Sequence, residues 1–280
     1  MNISALIQVI GSMLLAAIPA IIWLYLFRGK HPEGRKVTLS TFLIGAVSVM
    51  PILIYRYLWE FFPWINAFQY IQGFDNTIIN INSALALPLS IIFTFMIIGV
   101  IEEVTKHYCV RTVDKKFFKS IDDVIEFSII AALGFSFTEN ILYFHNIWEL
   151  RGLDNLLKPF LFRSVFSTFA HIMFSGIFGY YYGLGLFAKP ILQEQMVQNR
   201  TLFSRAFYKI INIRTEKAFY QEKLIAGLIV AVLLHAMFNI FLELNLTYLT
   251  VPYLVFGYVI LNYLFDKKES HKQYGLLQET

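Results

Sequence analysis

Glu102 and Glu103 stand side by side in an apolar stretch, with Lys106 one turn later. On a helix Glu102 and Lys106 share a face and Glu103 lies about 100° around it, so one carboxylate can pair with the lysine while the other turns inward. Such groups are expensive in a membrane, where even lenient insertion scales charge about 2.5–3.5 kcal/mol for one mid-bilayer acid. Polar residues recur in three later apolar segments: Glu139 with Asn140, His171, and His235 with Asn239. Acid, base and amide groups spread over four such segments are expected to converge on one buried site. The other reading of the first motif is a border ion-pair cluster beside His107 and Arg111.

The set contains what hydrolysis of a peptide bond by activated water requires. A carboxylate and an imidazole can take a proton from water and return it to the leaving amine. A second imidazole and the Asn239 amide can donate hydrogen bonds to the developing oxyanion. The same groups can instead hold a metal, with Glu139, His171 and His235 as the ligands and zinc (Zn2+) as a suitable ion. No Gly-x-Ser-x-Gly or His-Glu-x-x-His motif occurs, so neither a serine nucleophile nor a zincin-type site is supported. The single cysteine, Cys109, excludes an intrachain disulfide and a multi-cysteine metal site.

Positioning these residues falls to membrane-length helices. Of the 280 residues 57% are hydrophobic, 17% aromatic and 15% charged, which is a polytopic membrane composition. Seven stretches are long enough to cross: roughly 4–27, 38–59, 85–107, 124–147, 160–187, 224–243 and 247–265. The last is interrupted by Pro252. Basic residues fall in alternate loops. The first holds Arg28, Lys30, Arg35 and Lys36; the third Arg111, Lys115, Lys116 and Lys119; the fifth seven, from Lys189 to Lys223; the tail Lys267, Lys268 and Lys272. Only Arg151 and Lys158 lie on the other side. The positive-inside rule then puts the N-terminus outside and the C-terminus in the cytoplasm. The net charge of +4 needs no nucleic-acid partner, because topology and anionic lipid account for it.

The fold expected is therefore all-α, a polytopic transmembrane helix bundle of about seven spans forming a single integral membrane domain over 1–280, in the cell membrane. Two connections are long. Residues 60–83 mix aromatics and amides, as in a headgroup region. Residues 188–223 set apolar residues beside basic ones at helical spacing, as in an interfacial helix on anionic lipid. Residues 1–27 lack a basic n-region and read as a retained span. Depth poses a difficulty: this topology puts Glu102 and Glu103 near the cytoplasmic end of the third span and Glu139 in the outer half of the fourth. A tilt, or a break near Pro88 that shifts the span, must bring them together.

In order along the chain, Glu102-Glu103-x-x-Lys106, Asp122-Asp123 leading into Gly134-Phe-Ser-Phe-Thr-Glu139-Asn140, Arg163 eight residues before His171, and His235-Ala-Met-Phe-Asn239 resemble the PrsW family of polytopic intramembrane proteases. That family sits in a larger group with prenyl-protein endopeptidases and bacteriocin self-immunity proteins. The resemblance implies a protease core at about 85–245 that cleaves a membrane-anchored protein, for the namesake branch an anti-sigma factor. It further implies Glu102 and Glu103 as the catalytic acidic pair and His171 and His235 as essential histidines, with Lys106, Asn140 and Arg163 in support. In the prenyl-protein branch a histidine stands at the place of Glu139 and supports a metal-free, glutamate-activated water. The carboxylate here favours metal ligation or a second acid sharing a proton, and both stay open. A non-catalytic immunity or scaffold protein of the same fold and a proton-coupled transporter are the alternative functions, the latter disfavoured by the lack of repeated halves.

Overall fold

The computed structural model describes residues 3–27, 34–82, 85–114, 117–187 and 216–269. Ten helices run in chain order among them: α1 (Ile3–Phe27), α2 (Gly34–Val47), α3 (Met50–Phe61), α4 (Ala67–Ile71), α5 (Leu89–Asp114), α6 (Ile121–Arg151), α7 (Leu157–Phe162), α8 (Thr168–Leu186), α9 (Glu216–Glu243) and α10 (Thr247–Glu269). An antiparallel hairpin, β1 (Ile78–Asn82) and β2 (Leu85–Pro88), precedes α5. The all-α polytopic bundle holds, with this hairpin as the one addition. Six helical stretches are long and apolar enough to cross a membrane: Ile3–Leu26, Lys36–Phe61, Ile121–Arg151, Leu153–Leu186, Lys217–Glu243 and Thr247–Leu264. The remaining expected span, the third, corresponds to α5. At 26 residues it is long enough to cross, at about 39 Å, and it stands apart from the six by carrying three charged residues, Glu102, Glu103 and Lys106, in its apolar stretch.

Several boundaries differ from expectation, each for a local reason. Residues 85–88 are strand rather than helix, paired with β1 from Ile78 opposite Pro88 to Asn82 opposite Leu85. The helix starts only after Pro88 and continues to Asp114, so Glu102 lies near its middle. The second span breaks at Ser48-Val49, because Pro51 at the start of α3 lacks the N–H that would continue the ladder. The fifth contains a π-helical turn, Arg163–Ser167, between α7 and α8, where the Thr168 hydroxyl donates to the Arg163 carbonyl at 2.9 Å. Pro252 sits inside a continuous α10. The basic loop expected at 188–223 lies outside the described residues up to 215, and its last part, from Glu216, is the first two turns of α9. Residues 60–83 hold α4, two 3-10 turns and β1.

Helix α6 is the axis of the bundle, covered by α1, α2, α5 and α8. It opens with a capping box: Ser120 Oγ accepts from the Asp123 N–H at 3.2 Å, and Asp123 Oδ2 accepts from the Ser120 N–H at 2.9 Å. The second aspartate of the Asp122-Asp123 motif therefore starts the helix that carries Glu139. Small residues let α2 lie directly on α6. A Cβ on Gly134 would fall on the Phe42 carbonyl and the Ala46 nitrogen, and one on Gly45 on the Ala131 carbonyl. Gly134→Ala is accordingly expected to destabilise by about 1–3 kcal/mol through overpacking, read as a lower thermal midpoint in detergent. An unchanged midpoint would mean that the two backbones can part freely.

Candidate active site

Four helices and the π turn bring the polar residues into one cluster. Glu102, Glu103 and Lys106 come from the middle of α5, Glu139 and Asn140 from α6, Arg163 from the π turn, His171 from the first turn of α8 and His235 from α9. Because α5 begins at Leu89, its acidic pair reaches the depth of Glu139, and the difficulty posed by sequence depth disappears. A border cluster is excluded for the same reason, since Glu102, Glu103, Lys106, His171 and His235 are all buried.

Lys106 is the hub. Its Nζ donates to Glu103 Oε1 at 2.7 Å and lies 3.1 Å from His171 Nδ1, while Glu102 Oε2 is 4.0 Å away. The lysine thus takes Glu103, three residues back, rather than Glu102 on the preceding turn of the same face. An ammonium has donors and no acceptor, so His171 Nδ1 accepts from it and Nε2 carries the hydrogen. That Nε2 donates to Glu139 Oε2 at 2.9 Å. Arg163 Nη2 forms an ion pair with the same oxygen at 2.7 Å, and Arg163 Nε donates to Asn140 Oδ1 at 2.7 Å. His235 is held from both sides: Nδ1 donates to Glu103 Oε1 at 2.9 Å and Nε2 faces Glu102 Oε2 at 3.4 Å. Phe174 stacks on the His235 ring at 5.1 Å, and Phe135 lies under the Lys106 ammonium at 4.2 Å.

Three carboxylates and two cations leave the cluster one positive charge short of balance with both imidazoles neutral. Glu103 has Lys106 and Glu139 has Arg163. Glu102 has neither at contact distance, and its Oε2 is a buried oxygen without a hydrogen-bond partner. Such an atom is costly unless something fills its place. Glu102, His171 and His235 each offer one ligand atom, all within 4.8 Å of one another. Two imidazoles and a carboxylate are a donor set that suits zinc, and the orphaned oxygen is where a cation fits. The ligand triad expected from sequence had Glu139 in this place. In the structure Glu139 is occupied by Arg163, and Glu102 joins the imidazoles among the described residues.

Asn140 is tied through its Nδ2 to Thr168 Oγ1 at 3.4 Å and Ser136 Oγ at 3.5 Å, and Ser136 donates to Thr168 at 3.2 Å. These hydroxyls hold Asn140, and through it Arg163, yet neither carried a signal in sequence. Asn239 lies half-buried one turn beyond His235, and no hydrogen bond joins it to the cluster. His107, one turn after Glu103, turns away and sets its ring against Phe178 and Tyr182 at 4.5 and 4.6 Å.

The chain matches the family described as PrsW family intramembrane metalloprotease over residues 33–264. It is 25% identical over 269 residues to a protein of Clostridioides difficile (strain 630) named Protease PrsW, covering 94% of this chain and 92% of that one. No solved structure matches the chain at a significant level.

Proposed function

This chain belongs to the PrsW family of intramembrane metalloproteases, and from that premise we propose that it cuts a membrane-anchored protein, such as an anti-sigma factor, at the cluster around Glu102 and His235. That it is a membrane-embedded peptidase follows from the family. The observation that carries the site assignment is convergence: polar side chains from four helices meet out of water, and one carboxylate oxygen among them is left without a partner. Membership favours this reading over the immunity-type and transporter alternatives.

Glu102, His171 and His235 would hold a zinc-type ion, His171 through the Nδ1 lone pair that it otherwise offers to Lys106. When bound there, such an ion polarises a carbonyl and makes water acidic enough to supply a nucleophile. Glu103 fixes the His235 ring through Nδ1, which leaves Nε2 as the open nitrogen on the Glu102 side. Lys106 orients Glu103 and, until an ion takes Nδ1, His171. In Glu139 both contacts fall on Oε2, which leaves Oε1 to take the proton that attacking water loses and return it to the departing amine. Asn239, one turn from His235, would donate its amide to the substrate carbonyl.

Lys106→Met is expected to lower kcat/KM about 10–100-fold, the usual cost of losing a group that orients a metal ligand. Unchanged kinetics would remove Lys106 from the mechanism. Loop charge supports an orientation with the N-terminus outside the cell membrane. Val37 at the start of α2, Val110 near the end of α5 and Phe127 near the start of α6 cluster together, so these basic-flanked ends share one side. The reading is tested by co-reconstituting the purified protein with tagged single-pass proteins of its own membrane and determining product ends by mass spectrometry. Cleavage within or beside a span is expected. Cleavage of none of them by a protein shown to be folded would overturn it.

A further inference from the structure

The cluster has one open side. The Glu139 side chain is 33% exposed, whereas those of Glu102, Glu103, Lys106, His171 and His235 are at 10% or less. The opening arises where the second span breaks. Helix α2 follows α6 upward, with Val37 clustering with Phe127, Phe42 against Gly134 and Phe137, and the Ala46 carbonyl accepting from Thr138 Oγ1 at 3.0 Å. It then stops beside Thr138, the neighbour of Glu139. Past Ser48-Val49 the chain leaves α6: α3 leans on α5 and buries none of its residues. On the other flank α1 covers α6, with Gly11 against Trp148 and Ala16 in a cluster with Phe144. The α6 face bearing Leu142 and Tyr143, turned away from Phe144 and Trp148 on the α1 side, stays uncovered, at 40% and 41% exposure. The Tyr143 ring lies over the Arg163 guanidinium, 4.5 Å from its centroid, and Arg163 reaches Glu139.

We propose that the gap over the Leu142–Tyr143 face of α6, bounded below by the Ser48-Val49 break and backed by Tyr143, Arg163 and Glu139, admits the membrane-spanning segment of the substrate from the lipid. The proposal rests on the endopeptidase reading above. Its occupant follows from the chemistry of the gap. The exposed face there is apolar, formed by Leu142 and Tyr143, and it lies well inside the span Ile121–Arg151. A water-borne peptide would have to leave water to reach it, whereas a helix in the bilayer already lies against it. Only the back wall is polar. A peptide that unwinds there frees N–H and C=O groups that must be paired away from water, and Glu139 and Arg163 offer an acceptor and donors at that point.

The test places a photoreactive amino acid at Leu142, or at Val47 at the end of α2, in the full-length protein in proteoliposomes. The probe is the single-pass protein that wild type cleaves in the assay above, and a background of Glu102→Gln retains it uncut. Ile229, on the outward face of α9 and similarly exposed, serves as the control. A crosslinked product from Leu142 and Val47 and its loss at Ile229 is the expected result. Wild-type cleavage together with crosslinks from Ile229 alone, or from none of the three positions, would overturn the proposal while leaving the protease reading intact. Failure of wild type to cleave any single-pass protein would overturn both.

Discussion

Glu102→Gln is expected to lower cleavage at least about a hundredfold, the lower end of what a positioned acid or base contributes, while leaving the metal-free protein no less stable than wild type. The two halves of this expectation come from one observation. Glu102 Oε2 is buried with no hydrogen bond, 4.0 Å from Lys106 and 3.4 Å from His235 Nε2. A carboxylate in that state costs stability and is retained for what it does. Glutamine keeps the shape and removes the charge, so the fold loses a penalty and the site loses a ligand. Rates on a cleaved substrate and thermal midpoints in chelator, measured on the same preparations, check it. A variant that cuts as well as wild type would show that Glu102 is not in the reaction. One that fails to fold would show that Glu102 holds the bundle together.

Arg163→Met is expected to destabilise the protein by about 3 kcal/mol, the cost of stripping one partner from an ion pair largely out of water. The guanidinium pairs with Glu139 Oε2 through Nη2 and donates from Nε to Asn140 Oδ1, both at 2.7 Å. Lysine, with a point charge in place of the planar fork, can serve one and not both, so Arg163→Lys should recover part of the loss. Adding Glu139→Gln to Arg163→Met removes the stranded carboxylate and should restore most of the stability without restoring cleavage. Thermal unfolding of the three variants separates the contributions. If the double variant is no more stable than Arg163→Met, the partner that matters is Asn140 and the π turn it anchors.

Most of the site could be read in sequence because hydrocarbon makes polarity conspicuous. Glu139, His171 and His235 stand out in their spans for the same reason that makes them costly. Less legible was how they pair. Lys106 can reach back three or four residues on a helix, and its choice of Glu103 over Glu102 is tied to the His235 ring, which holds the other side of Glu103 Oε1. That neighbour belongs to a helix 132 residues away. Ser136 and Thr168 were invisible because a hydroxyl on a membrane helix can satisfy itself on its own backbone, as Thr168 also does with the Arg163 carbonyl. The spans were legible from length and apolarity. Their ends were not: the hairpin before Pro88 took four residues from α5, and the helix recovered its length beyond Lys106. That displacement is what sets Glu102 opposite Glu139. The turn at Arg163 offers no pattern at all, since a π insertion changes register without changing composition.

Cleavage of a single-pass substrate in proteoliposomes is the most direct test, measured on wild type as prepared, after a strong chelator, and after zinc is returned, with bound metal counted in each sample. The prediction is that cleavage and metal are lost together on chelation, return together with zinc, and are both absent from Glu102→Gln. Cleavage that persists in metal-free protein, or in Glu102→Gln, would contradict it.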